Sequence, residues 1–451
     1  MPKKTIYDLT TNKIVVRDLT SDEEKIRDKE IVEMDKISAI EAEIRVNKVV
    51  NSTGDNDSGL DMTTNDQVLI KTANTTAITV DSSQNVASAG NLTVAGNLTV
   101  SGTTTGVASS TNKNYIINGA MQISQRIGDA SSSATEYGAT PDRIRQEAYG
   151  GASASFQRVT DAPTGFSNSL KVTCAGTTSP SAGNTLRLMT GLEGQDIAHL
   201  EYGTSEAKTL TLSFYVKGSE TGTYSTAFVN IRPSGNITAN VTRSQIKTYT
   251  VNSANTWEYK TLTFSGCPNG TWGSSNSDGI TIVFDLGSGS NHQGATDTWL
   301  ATSDTLASGQ VTLGDSNGGT WQITGIKLEL GSVATSFVYK SYREELSACE
   351  RYYQIISNGH GSAFNTGRAG FGLELRQTMR ANPAFSQTAV LAITNGSAWD
   401  KSQSSVNVSI IASRVNPTGA QLAFDNFSGL TQYQPVAINT GAGKIIASAE
   451  L

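Results

Sequence analysis

The chain has 451 residues, enough for roughly three structural units at about 100–200 residues each. It carries 43 Gly, 37% hydrophobic and 16% charged residues and a formal charge of −6, a profile with too little charge for a disordered polyelectrolyte. No apolar run approaches the ~18 residues of a membrane span, and no basic excess offers counterion release to nucleic acid, so neither is an expected partner.

Met1-Pro-Lys-Lys opens the chain without the apolar stretch of a secretory signal, so export by that route is not expected. Cys174, Cys267 and Cys349 are an odd, widely spaced set. They fit three thiols in a reducing cytoplasm better than a disulfide framework or a zinc site. No cofactor is implied.

Residues 1–50 hold 10 Lys/Arg and 11 Asp/Glu, whereas the other 401 residues hold only 24 and 29, which sets a boundary near residue 50. Ser21 and Glu24 have the spacing of a capping box. Ile31, Met34, Ile37, Ile40 and Ile44 then form one narrow helical stripe. Such a stripe buries itself most simply against copies of its own chain, and isoleucine along the seam favours three or more strands. The expectation is a short trimeric coiled coil; the alternative is an amphipathic helix lying on another protein.

From 51 to 112 the composition changes to Gly, Asn, Ser and Thr with regularly placed aliphatics. Gly90-Asn91-Leu92-Thr93-Val94-Ala95 is followed by Gly96-Asn97-Leu98-Thr99-Val100-Ser101 and a degenerate third copy, which is an internal repeat. Leu and Val two apart share one face of a strand. A lone short strand is marginal in water, so the repeat predicts a β shaft wound from several chains; the alternative is a flexible linker.

Between 113 and 340 the pattern is that of an antiparallel β-sandwich or jelly roll. Leu210, Leu212, Phe214 and Val216 alternate with polar residues, as do Ile280, Ile282 and Phe284. Trp321 and Ile323 keep one phase and Ile326, Leu328 and Leu330 the other, which predicts a face-switching bulge at Gly325. Leu346, Cys349, Tyr353 and Ile356 predict a connecting helix over 341–357. Phe371, Leu373 and Leu375, then Val406, Val408 and Ile410, predict a last β domain over 358–451.

No Gly-x-Ser-x-Gly elbow, phosphate loop or metal-spaced histidine pair is present, and His199, His292 and His360 read as surface or hydrogen-bonded residues. Glu193, Asp196, Asp285 and Asp297 are the acids from which a hydrolytic pair could come, and solvated turns account for them equally well. The chain is expected not to be an enzyme. Glycan binding instead needs exposed aromatic rings for sugar C–H faces, plus amide and carboxylate hydrogen bonds. Trp272, in a polar loop, and Trp399, between Asn395 and Asp400, are candidate receptor contacts. Trp257, Tyr259 and Trp321 fall in strand patterns and read as core.

The segment Asn114-Tyr115-Ile116-Ile117-Asn118-Gly119-Ala120-Met121-Gln122-Ile123-Ser124-Gln125-Arg126 is followed by Thr140-Pro141-Asp142-Arg143 and Thr324-Gly325-Ile326-Lys327-Leu328-Glu329-Leu330-Gly331-Ser332. Next come Ser341-Tyr342-Arg343-Glu344-Glu345-Leu346-Ser347-Ala348-Cys349-Glu350-Arg351-Tyr352-Tyr353 and Met379-Arg380-Ala381-Asn382-Pro383. In that order they resemble the receptor-binding region of tail fibre proteins of tailed bacteriophages, most nearly short-tailed phages of marine bacteria such as cyanophages.

The resemblance implies a parallel homotrimer whose first sandwich is similar to a carbohydrate-binding module. Residues 1–50 would join phage tail or adaptor proteins, and the head would bind a host surface glycan or lipopolysaccharide. The protein would be assembled in the host cytoplasm and reside in the virion tail. If the chain runs outward, the C-terminal loops around Trp399 and Tyr433 are distal and become the preferred contacts, with Trp272 second. The alternatives are a polysaccharide-cleaving tailspike and a structural connector that touches no host.

Overall fold

The computed structural model describes residues 3–8, 13–18, 48–50, 59–61, 68–72, 75–80, 83, 85–89, 113–133, 140–150, 153–175, 180–230, 242–394, 401–402, 408–438 and 443–451. The chain divides into two compact units, Met1–Gly106 and Val107–Leu451. Among the described residues it is mainly β.

In the first unit Lys3–Asp8 and Lys13–Asp18 form an antiparallel hairpin, with Lys3 opposite Asp18 and Asp8 opposite Lys13. The helical reading of 1–50 had no strand there. Its capping box and isoleucine stripe lie outside the described residues, so the coiled coil is neither seen nor excluded. Strands Lys48–Val50, Gly59–Asp61, Val68–Thr72, Thr75–Val80 and Val86–Ser88 follow as an antiparallel meander in which each pairs with its neighbour in sequence. Short connections permit only this kind of pairing. The Gly-Asn-Leu-Thr-Val copies also lie outside the described residues.

The second unit opens with a latch made from the first of the motif segments. Asn114 Oδ1 accepts from Ile116 N–H and Leu328 N–H, and its amide nitrogen donates to Ile326 O. Asn118, left-handed at φ 60°, donates to Ile123 O and Asp142 O and accepts from Ile123 N–H. Both side chains are buried and satisfy backbone groups that an irregular buried segment would otherwise leave unpaired.

Two antiparallel sheets then form the sandwich. The five-stranded sheet runs, edge to edge, Glu258–Phe264, Leu210–Gly218, Thr320–Leu330, Ser169–Cys174, Ala154–Val159. The six-stranded sheet runs Trp299–Leu300, Ser244–Val251, Gly222–Val229, Asp278–Asp285, Thr185–Glu193, Arg145–Tyr149. The alternating residues interdigitate between them: Leu210, Leu212, Phe214 and Val216 from one sheet, Ile280, Ile282 and Phe284 from the other, with Trp321 wholly buried. At roughly 1.5–3 kcal/mol for each large apolar side chain, this core dominates the stability of the unit.

The bulge is where the phase change predicts it. Ser213 pairs with Lys327 but Tyr215 pairs with Thr324, and Gly325 takes φ +64° between them.

Ser341 caps the helix Tyr342–Glu350 with a complete capping box to Glu344. The helix is shorter than expected. Tyr353–Ile356 leaves it to become a strand, because its β-preferring residues pair with Ile445–Ser448. The last domain packs a three-stranded sheet with Ile445–Ser448 at its centre near a seven-stranded one. Its core holds Phe371, Leu391, Leu422, Phe424 and Ile445.

Leu451 is buried beside Gly191 of the sandwich, and Glu450 is bonded to two sandwich arginines. Strand pairing of Ile445–Ser448 thus returns the terminus to the junction between the sandwich and the last domain.

Candidate functional site

On the outer face of the five-stranded sheet a cavity of 440 Å³ is lined by Phe166, Tyr215, Tyr259, Phe337 and Tyr339. The sequence builds it from three pieces. Tyr215 and Tyr259 occupy the polar phase of neighbouring strands, directly cross-strand, with ring centroids 5.0 Å apart. Phe166 closes a turn whose N–H bonds Pro163 O and lies 5.5 Å from Tyr215. The strap after Leu330 brings Phe337 and Tyr339 to 5.1 and 5.4 Å from Phe166, and Tyr339 Oη donates to Gly165 O at 2.7 Å.

Gly325 forms the floor. A Cβ there would sit 2.7 Å from Phe166 Cζ, and its positive φ favours glycine independently.

A buried ion pair fixes the strap. Lys327 Nζ donates to Glu329 at 3.0 Å and to Ser336 O at 2.9 Å, while Glu329 Oε1 accepts from Thr335 N–H at 2.8 Å. Lys327 and Glu329 are almost wholly enclosed, so each charge is offset by its partner and by the strap backbone. The rings are thus held before any ligand arrives. Burial pushes the Tyr339 phenol above its ordinary pKa, so the ring is neutral at physiological pH.

Beside the cavity, Asp161 accepts from Lys217, Gln322 and the Trp257 indole N–H. The Lys217 hydrogen bond, first among these, holds its carboxyl below the usual range. Tyr259 is 47% exposed and Trp257 half-buried on this outer face, so the core assignment of both is corrected; Trp321 alone of the three is core. Tyr215 and Tyr259 alternate with inward residues as any solvent-facing strand residue does, and neither Phe166 nor the strap rings carry a local signal. Only the bulge at Gly325 was legible.

Of the receptor contacts singled out from the sequence, two fall among the described residues. Trp272 is half-buried, its indole N–H donates to Asn269 O at 3.1 Å, and its ring meets Tyr202 and Trp299 edge-on. Tyr433 is 79% exposed on a left-handed turn residue. Trp399 lies outside the described residues.

Of the candidate acids, Glu193 and Asp285 are buried and not solvated turn residues. Glu193 takes two bonds from Arg351 and one from Tyr352, and Asp285 takes bonds from Gly287 N–H, Ser288 N–H and Thr305 Oγ1. Asp297 is exposed and paired with Lys247. The lining of the aromatic cavity contains no carboxylate.

Most of the charged motif residues meet instead at the junction between sandwich and last domain. Arg126 and Arg143 reach Glu450 at 2.6 Å each, and their guanidinium carbons lie 3.8 and 3.4 Å from the ring centroids of Tyr353 and Tyr352. Arg380 donates to Ala449 O and Glu450 O, and Asn118 N–H donates to Glu345. These residues join the two domains.

No family model and no curated protein matches the chain. Among solved structures it is similar to the enzymatically active domain of bacteriophage CBA120 tailspike protein 4, at 13% identity and TM-score 0.25, covering 48% of this chain and 21% of that one. It is also similar to a putative sugar binding protein from Bacteroides thetaiotaomicron, at 13% identity and TM-score 0.28, covering 49% and 100%. A third is a family 11 carbohydrate-binding module from Clostridium thermocellum in complex with a mixed-linked tetrasaccharide, at 14% identity and TM-score 0.23, covering 43% and 91%.

Proposed function

We propose that this chain is the receptor-binding protein of a bacteriophage tail fibre, and that it holds a host-surface glycan in the groove formed by Phe166, Tyr215, Tyr259 and Tyr339 without cleaving it. The observation that carries the binding part is the cluster of preorganised rings around one open cavity, two of them about half exposed. Aromatic faces of this kind stack on sugar C–H faces, while the Ser213, Thr164 and Ser336 hydroxyls supply orienting hydrogen bonds. The lining holds no carboxylate among the described residues, which supports binding over glycosidic cleavage.

The fibre part rests on the ordered motif segments from Asn114 to Pro383 and on the shaft-like repeat at Gly90–Ser101. In this reading the protein is a parallel homotrimer in the virion tail, and residues 1–50 dock on tail or adaptor proteins. Three identical grooves make millimolar single-site affinity sufficient through avidity. Incubating purified protein with host cells tests the whole reading. Binding without release of reducing ends is expected; sugar release identifies a depolymerase, and absence of binding a structural connector.

A further inference from the structure

We propose that the open edge of the sandwich carries a second ligand site, separate from the aromatic groove, for a sugar bearing a carboxylate, such as a hexuronate. A cavity of 390 Å³ lies there, lined by Arg243, Gln245, Ser265, Asp297 and Trp299. Strand Ser244–Val251 provides Gln245, the segment after Glu258–Phe264 provides Ser265, and Trp299–Leu300 closes the side.

Gln245 is only 2% exposed, and its amide nitrogen donates to Ser265 Oγ at 3.0 Å while Oε1 has no partner. Turning the amide over does not remove the vacancy, because the amino group then lacks the partner instead. A buried amide in this state favours an occupant that brings a hydroxyl, which either donates or accepts.

Arg243 sets the charge. Its guanidinium donates to Thr242 O at 2.7 Å and makes no ion pair among the described residues. Asp297, the acid at the rim, is already engaged by Lys247 at 2.7 Å. Among the described residues the cavity thus presents a fork-shaped cation in no ion pair, which matches a carboxylate better than a neutral hydroxyl.

Trp299 supplies an apolar wall that cannot swing away. Its indole N–H donates to Ser265 O at 3.1 Å, and Tyr202 and Trp272 brace the ring edge-on at 6.1 and 5.7 Å. A pyranose whose carboxylate meets Arg243 can place a ring hydroxyl at Gln245 and a C–H face at Trp299. This also gives Trp272 a role, as a brace for the wall.

Calorimetric titration of the full chain with D-galacturonate and, separately, D-galactose tests the proposal. Galacturonate should bind in the millimolar range and about tenfold more tightly than galactose. Arg243→Gln should abolish that preference. Asp297→Asn, which suits the left-handed backbone at φ 65°, removes a like charge from the rim and should tighten galacturonate binding about two- to threefold. Tyr259→Ala, in the other groove, should leave it unchanged.

The proposal is overturned if galacturonate does not bind, if galactose binds equally well, if Asp297→Asn leaves affinity unchanged or weakens it, or if Tyr259→Ala abolishes binding. Asp297 is exposed, and an unchanged melting curve verifies that its variant is folded, so this variant decides the matter even where Arg243→Gln fails to fold.

Discussion

Arg143 Nη1 meets Glu450 Oε2 at 2.6 Å across 307 positions of sequence, at a side-chain exposure of 1% for the arginine and 8% for the glutamate. Glu450 also neutralises Arg126, so one carboxylate near the chain end holds two buried guanidiniums of the sandwich. Glu450→Ala should therefore cost about 3–5 kcal/mol, the scale for stranding one partner of a buried pair. Chemical denaturation should show the loss, either as a lower midpoint or as separate melting of the two domains. A midpoint within error of the parent would mean that the junction does not depend on this pair.

The groove floor gives a second expectation. In Gly325→Ala the new Cβ collides with Phe166 and the backbone must hold a left-handed residue, which together should cost about 1–2 kcal/mol. The displaced Phe166 ring should also weaken glycan binding. Melting and titration of the same sample measure both; full affinity with an intact fold would remove Phe166 from the site.

Glu258, next to Tyr259, predicts a pH dependence. Partial burial alone would raise its carboxyl, but hydrogen bonds from Lys260, Ser253 N–H and Asn252 bring it from 4.5 down to about 2. The folded chain thus binds this proton more weakly than the unfolded chain. The contribution to stability is complete above pH 4.5 and is lost as the pH falls through about 2. Glu258→Gln should lower stability by roughly 1 kcal/mol at neutral pH. That difference should shrink toward zero near pH 2; a pH-independent gap would show that the effect is not ionic.

The β-sandwich was legible because Leu210–Val216 and Ile280–Phe284 alternate large apolar residues with mostly polar ones, which declares their period although the alternate face is itself largely covered, and because Gly325 sits where the phase changes. The helix start was legible in Ser341 and Glu344, but its end was not. Tyr353 and Ile356 fit a helical spacing, and only pairing with the distant Ile445–Ser448 decides that they form a strand. The groove was hidden for a similar reason. Tyr215 and Tyr259 are adjacent through register, Phe166 and Tyr339 through a strap 174 residues from its contact, and neither relation is local in sequence. Trp272 stands out in the sequence as a tryptophan in a polar loop, yet its indole N–H is already bonded within that loop.

Assembly is testable by mass. Val68, Ile70 and Val86 of the first unit are 36, 38 and 69% exposed in the single chain, as a shaft completed by further copies would leave them. Sedimentation equilibrium should give three times the 47.6 kDa chain mass. A monomer or dimer mass would contradict the fibre reading while leaving the groove untouched.

The most direct test is adsorption of fluorescently labelled protein to host cells, comparing the parent with Tyr259→Ala, Tyr339→Ala and Tyr433→Ala. Stacking on a sugar face accounts for about 0.5–1.5 kcal/mol per ring, and trimer avidity multiplies the loss. Tyr259→Ala and Tyr339→Ala should each reduce binding at least about tenfold with mass and cooperative unfolding retained, whereas Tyr433→Ala should not. Undiminished binding by both groove variants, or its loss in Tyr433→Ala alone, would place the receptor elsewhere and contradict the central claim.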